Sequence, residues 1–170
     1  MRQRLERALT LVDGPGASAP VCVALIGGTG AGKSTLFNLL VVDRDASPVS
    51  HAERAFTARP HVAVLPAEAP LIALAPEAQP VFCRRGLPGL ALIDTPDLDS
   101  AMAEHRTRAR LAIEAADMIV YVALPEKRSS FQITEELREW ASRKHWFFAL
   151  NQVDRCAPEA LGQVRDDFAT

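Results

Sequence analysis

Val21–Phe37 reads VCVALIGGTGAGKSTLF. Its first part, Val21–Ile26, is an unbroken apolar run and predicts a buried strand. Gly27–Ser34 then satisfies GxxxxGK(S/T) at every fixed position, and Ser34–Val42 predicts a helix. A strand, a glycine turn and a helix are the context that pattern needs. Glycines let the backbone wrap tightly, so that successive N–H groups point inward at an anion. The start of the helix adds a favourable dipole. Lys33 is expected to face phosphate rather than core and to neutralise β- and γ-oxygens, and the Ser34 hydroxyl to ligate Mg²⁺. The phosphate contacts fall on Gly27, Gly28, Thr29, Gly30, Ala31, Gly32, Lys33, Ser34 and Thr35. The competing reading is a glycine-rich turn with a chance Lys-Ser pair. The chain takes most of its basic residues as Arg yet has Lys here, which argues against chance.

Working outward, the pattern alternates strands and helices. Strands are predicted at His61–Leu65, Leu90–Asp94, Met118–Leu124 and Trp146–Leu150, with an edge strand at Val81–Arg84. Asp43–Pro60 reads as a loop and Ala67–Pro80 as an irregular insertion. Ser100–Ala116 predicts a helix with Met102, Ala109, Ala112, Ile113 and Ala116 on one face. Ile133, Leu137 and Trp140 mark another helix, and Pro158–Phe168 a last one. The expected fold is an α/β three-layer α/β/α sandwich with a mostly parallel sheet. Residues 1–18 read as a short amphipathic helix and linker, and residues 19–170 as the nucleotide-binding domain.

Composition sets bounds. A chain of 170 residues, 48% apolar and 24% charged, has the make-up of one soluble domain. Net charge is -2 with no long basic run, so bulk attraction to nucleic acid or anionic lipid is not predicted. Cys22, Cys83 and Cys156 form no CxxC pair, which leaves no zinc knuckle or disulfide framework and points to a reduced, cytoplasmic setting. The first residues lack the apolar core of a secretion signal. The longest apolar run, Met118–Pro125, is far short of the roughly 20 residues that cross a bilayer. Peripheral membrane contact would have to come from outside this segment.

Two later stretches carry chemistry. ALIDTPD, residues 91–97, ends a strand at Asp94, whose carboxylate is suited to hold Mg²⁺ through water. FFALNQVD, residues 147–154, places Asn151 and Asp154 just after a strand.

GGTGAGKS, DTPD and NQVD, in that order, resemble the G1, G3 and G4 motifs of translation-factor-type GTPases. The nearest likeness is to bacterial Era-like and dynamin-like G domains, the 50S ribosome-binding GTPase type. The motifs span residues 27–154, most of the chain. The resemblance implies GTP and GDP as ligands, Mg²⁺ as cofactor and hydrolysis at the β–γ bond. It gives Asp154 the guanine N1–H and N2–H₂ donors, has Asn151 brace the base loop, and leaves Gln152 beside the base where the family usually has Lys. A carboxylate left unpaired makes adenine costly, which disfavours a P-loop ATPase. It also implies a threonine that closes over Mg²⁺ and the γ-phosphate; Thr57 is the best match, with Ser47 and Ser50 as rivals. Lys33 and Thr57 are therefore the residues assigned to catalysis, and Ser34, Thr57 and Asp94 the metal ligands.

The sequence also departs from the family pattern. Asp97 stands where the third motif has glycine, so that switch would have to sit further back or Asp97 turn outward. Leu98 stands where Ras-like enzymes orient water with Gln. Gly30 replaces the loop Asn of potassium-activated members, so potassium dependence is not expected. No general base is visible, and Arg54 and Arg59 read as ordinary loop charges. Slow or partner-assisted turnover follows, with a homodimer through the nucleotide face as one route. The alternatives are a nucleotide-gated binding module and a dynamin-like membrane or assembly scaffold. The fifth motif is not met before Thr170, so truncation at the C-terminus is expected.

Overall fold

Apolar runs become strands here because both faces of the sheet are covered. Residues 19–49, 57–125 and 138–155, together with Gly162, are described by the computed structural model. β1 is Val21–Ile26, β2 His61–Ala63, β3 Val81–Phe82, β4 Leu90–Asp94, β5 Met118–Ala123 and β6 His145–Leu150. The two long helices among the described residues are α1, Lys33–Val41, and α2, Ala103–Ala115. The sheet order is β3-β2-β4-β1-β5-β6. Among these described strands the β2–β4 pairing is antiparallel and the others are parallel.

Period-two alternation along β1 builds the layers. Cys22, Ala24 and Ile26 pack on one face with Ala109, Ala112 and Ile113 of α2. Leu25 packs on the other face with Phe37 and Val41 of α1. Helices on opposite faces of a mostly parallel sheet give the expected three-layer α/β/α sandwich.

The differences from expectation lie at element ends. α1 stops at Val41 because Val42 turns left-handed, at φ 56°, and its N–H returns to the Asn38 and Leu39 carbonyls. α2 starts at Ala103, so Met102 precedes the helix and is exposed rather than part of its buried face. β2 ends at Ala63, and β3 keeps two residues at the sheet edge. The insertion contains short 3₁₀ turns at Ala69–Leu71 and Pro76–Ala78. Trp140 is buried in the core, and Trp146 donates its indole N–H to the Trp140 carbonyl at 3.3 Å. The N-terminal helix, the positions Ile133 and Leu137, and the helix over Pro158–Phe168 lie outside the described residues, as do Ser50, His51, Arg54 and Cys156.

β1 and β5 run side by side, and this closeness dictates Gly27. Its φ is 148°, and a Cβ there would stand 2.2 Å from the Val122 carbonyl oxygen of β5. Backbone on both sides cannot yield cheaply. Gly27→Ala is expected to lower stability by about 1–3 kcal/mol, the usual cost of overpacking. Urea denaturation checks this; an unchanged midpoint would show that the two strands can separate there.

Candidate nucleotide-binding site

The ends of β1, β4, β5 and β6 gather on one edge of the sheet, where open α/β sheets bind ligands. The loop after β1 bends through two left-handed glycines, Gly30 at φ 78° and Gly32 at φ 91°. Its turn is closed by the Ala31 N–H on the Gly28 carbonyl, at 3.2 Å. α1 starts at Lys33, whose side chain folds back into the loop. Its ammonium donates to the Gly27 carbonyl at 3.0 Å and the Gly28 carbonyl at 3.1 Å. Thr35 is exposed on the first turn.

Thr57 and Asp94 come to the same end of α1 from distant parts of the chain. The Ser34 and Thr57 hydroxyls are 3.2 Å apart. Asp94 is fully buried at the end of β4. Its Oδ2 accepts from the Ser47 hydroxyl at 2.7 Å, while Oδ1 is buried with no hydrogen-bond partner among the described residues. Burial pushes this carboxyl above its usual range, opposed by the Lys33 ammonium and then by Ser47, Ser34 and His61. A buried carboxylate oxygen without a partner beside two hydroxyls fits a hard cation, which prefers oxygen ligands. Among the described residues no three His, Cys, Asp or Glu side chains converge on a metal. One carboxylate and two hydroxyls are oxygen donors of the kind that Mg²⁺ takes.

Of the two rivals to Thr57, Ser50 lies outside the described residues and Ser47 is placed by the structure. Ser47 is held by Asn38 of α1, whose side-chain oxygen accepts the Ser47 N–H and whose amide donates to the Ser47 carbonyl, both at 2.8 Å. That clamp turns Ser47 onto Asp94 rather than onto Ser34. Neither Asn38 nor this use of Ser47 was legible in the sequence. His61, paired across from Asp94 in the β2–β4 register, has its pKa lowered by burial, with Asp94 acting in the opposite sense.

The segment after β4 corrects the expectation for Asp97. It turns inward, not outward. Its Oδ1 accepts from the Lys33 ammonium at 2.5 Å, and the residues are only 9% and 4% exposed. Lys33 therefore faces a carboxylate of its own chain in this structure. Leu98 is 2% exposed and belongs to the main core cluster, away from any position for a water. Asp99, exposed, accepts from both the Thr29 N–H and the Thr29 hydroxyl at 2.9 Å.

The loop after β6 reaches the glycine loop after β1 directly. Asn151 is held by its N–H on the Ala123 carbonyl, and its side-chain amide donates to the Ala31 carbonyl at 2.8 Å. Gln152 sits in the left-handed region at φ 57° and donates its amide to the Gly30 carbonyl at 3.0 Å. A non-glycine residue there carries strain, and such strain collects at functional sites. The contact explains Gly32 as well: a Cβ there would meet the Asn151 amide nitrogen at 2.3 Å. Asp154 is exposed on the 3₁₀ turn Val153–Arg155.

Arg106, Arg108 and Arg110 alternate along α2. Arg108 donates to the Ala58 carbonyl at 2.9 Å and so ties α2 to the segment after Thr57, and Arg106 donates to the Ser100 carbonyl at 2.5 Å. Arg110 and Arg59 are exposed. His105 is buried against Ser100. Cys22 is buried, whereas Cys83 is half-buried, and burial raises its thiol to about 11.

Residues 22–152 match the family described as 50S ribosome-binding GTPase. The chain belongs to this family. No curated protein matches it. This GTPase domain also shares its fold with solved structures. One is Era in complex with MgGDPNP and nucleotides 1506–1542 of 16S ribosomal RNA, at 18% identity and a TM-score of 0.59. That match covers 88% of this chain and 47% of the Era chain. A member of an oligomerised bacterial dynamin pair matches at 14% identity and a TM-score of 0.64, covering 98% of this chain and 32% of that one. A chain from work on the chloroplast translocon components atToc33 and psToc159 matches at 17% identity and a TM-score of 0.53, covering 98% and 66%. The GTPase domain thus spans about half the length of the Era chain and a third of the dynamin chain.

Proposed function

We propose that this GTPase domain is a Mg²⁺-dependent GTP-binding switch that hydrolyses GTP to GDP and phosphate slowly when alone. One observation carries the reading. Thr57 and Asp94 meet Lys33 and Ser34 at the head of α1, with an unpartnered carboxylate oxygen among them. In this reading backbone N–H groups of Gly27–Gly32 cradle the phosphates, and Lys33 offsets the charge that develops on them. Ser34, Thr57 and Asp94 would hold Mg²⁺, which would supply positive charge to offset that of the phosphates. Asp154 reads guanine. Asn151 and Gln152 lock the base loop to the phosphate loop, so base and phosphates are held in one register.

Among the described residues nothing is suited to orient the attacking water. Leu98 is in the core, and Arg59 is the one arginine flanking Thr57 that is described, on an exposed loop. The domain alone is therefore expected to turn over no faster than unassisted relatives, on the order of 10⁻⁴ to 10⁻² s⁻¹. Single-turnover hydrolysis at several protein concentrations, with Mg²⁺ and with EDTA, checks this. Concentration-independent turnover above that range would reveal a catalytic group within the chain. Loss of Mg²⁺ dependence would remove the roles given to Ser34 and Asp94.

The same gap supports a second reading, in which two copies pair through the nucleotide face and complete each other's site. The translocon relative is described in terms of dimerisation being important for GTPase activity, and the dynamin relative as oligomerised. Turnover that rises with protein concentration would favour this reading. The reduced, cytoplasmic setting rests on the dispersed cysteines of the sequence.

A further inference from the structure

The Lys33 ammonium has three protons and three acceptors: the Gly27 carbonyl, the Gly28 carbonyl and Asp97 Oδ1. It has no donor to spare. A phosphate arriving at Lys33 must displace one of these acceptors. The two carbonyls belong to the loop itself, whose conformation is fixed by Gly30, Gly32 and the turn between Gly28 and Ala31. Asp97 comes from another segment and is the only anion of the three. The exchange open to the site is anion for anion, at Asp97.

The direction of the site is also fixed. Asn151 and Gln152 lie on Gly30 and Ala31, which marks the base end. Asp94 and Asp97 lie on the far side, against Ser47 and Lys33, which marks the end of the phosphate chain. Asp97 is held there by the two residues that follow it. Leu98 is sunk in the core, and Asp99 is bonded twice to Thr29. The side chains on either side of Leu98 thus both grip the phosphate loop, and Asp97 cannot leave Lys33 without loosening this short segment.

Resting on the reading of this loop as a guanine-nucleotide site, we propose that Asp97 is a specificity-determining residue. Its carboxylate occupies Lys33 in place of the terminal phosphate, and so weights the site toward the diphosphate over the triphosphate. A diphosphate reaches Lys33 with its β-phosphate alone and brings less charge to the distal end, so it meets less repulsion from Asp97. A triphosphate brings like charge against the carboxylate, in a buried setting where screening is weak.

The test is the affinity of fluorescent GDP and of a non-hydrolysable GTP analogue for wild type, Asp97→Asn and Lys33→Ala, with Mg²⁺ and with EDTA. Wild type is expected to bind GDP more tightly. Asp97→Asn keeps the shape and removes the charge, and the lost competition is expected to raise triphosphate affinity about tenfold or more, with a smaller change for GDP. The gain should be largest in EDTA, where no cation offsets the phosphate charge. Asp97→Gly repeats the measurement should the Asn variant fail to fold, and thermal melts report folding for each. Equal affinities in wild type, or parallel changes for both nucleotides in Asp97→Asn, would overturn the proposal while leaving the nucleotide site intact. Absence of guanine-nucleotide binding in both wild type and Asp97→Asn, or a Lys33→Ala variant that binds as wild type does, would instead overturn the site itself and this proposal with it.

Discussion

Lys33→Ala is expected to lower guanine-nucleotide affinity by about 10²- to 10⁴-fold, since two charge-assisted phosphate contacts are each worth about 1.5–3 kcal/mol. Titration with a fluorescent GDP analogue measures it. The sequence alone suggests that the fold would not notice the change, because a lysine facing phosphate supports no core. The structure gives a different answer. Lys33 is buried and bonded to two loop carbonyls and to Asp97. Removing it orphans a buried carboxylate, and breaking such a pair costs about 3–5 kcal/mol. The double variant Lys33→Ala/Asp97→Asn removes that orphaned charge. It is expected to regain part of the stability and none of the affinity. Near-normal affinity in a folded single variant would mean that Lys33 is not the phosphate ligand.

Asp154→Asn is expected to exchange guanine preference for xanthine preference. In the proposed reading the carboxylate accepts from guanine N1–H and N2–H₂, and losing both contacts would cost about 10²- to 10⁴-fold in GDP affinity. The new amide presents an N–H that the second carbonyl of xanthine accepts, so XDP affinity should rise. Asp154 is exposed on its 3₁₀ turn and bears no core load, so stability should hold. Competition between GDP and XDP reads the ratio directly. An unchanged ratio would show that Asp154 does not read the base. A fall in both affinities would point to a collapsed base loop, which Asn151 and Gln152 would then have failed to hold.

The sequence by itself determined the sandwich and its phosphate loop. Apolar runs of strand length alternating with helix signals leave a covered parallel sheet as the arrangement that buries both faces. Gly27–Ser34 is legible because its requirements are local: glycines for the turn, a lysine and a serine at a fixed spacing, a helix directly after. Asp94, Asn151 and Asp154 were legible as motif positions at or just after the ends of strands.

Only the tertiary structure decided which side chains meet. Thr57 and Ser47 are both hydroxyls in one long loop, and spacing cannot rank them. In the structure Asn38 clamps Ser47 onto Asp94, while Thr57 lies beside Ser34. The sequence showed that Asp97 and Leu98 break the family pattern but not where they go. The core takes Leu98, because an apolar side chain gains by leaving water, and its neighbours are thereby turned toward Lys33 and Thr29. Gln152 likewise reads as a weakened lysine until its amide is seen on Gly30. Local chemistry is written in consecutive residues. Pairings between carboxylates, amides and loops more than 60 residues apart depend on the packing that brings them together.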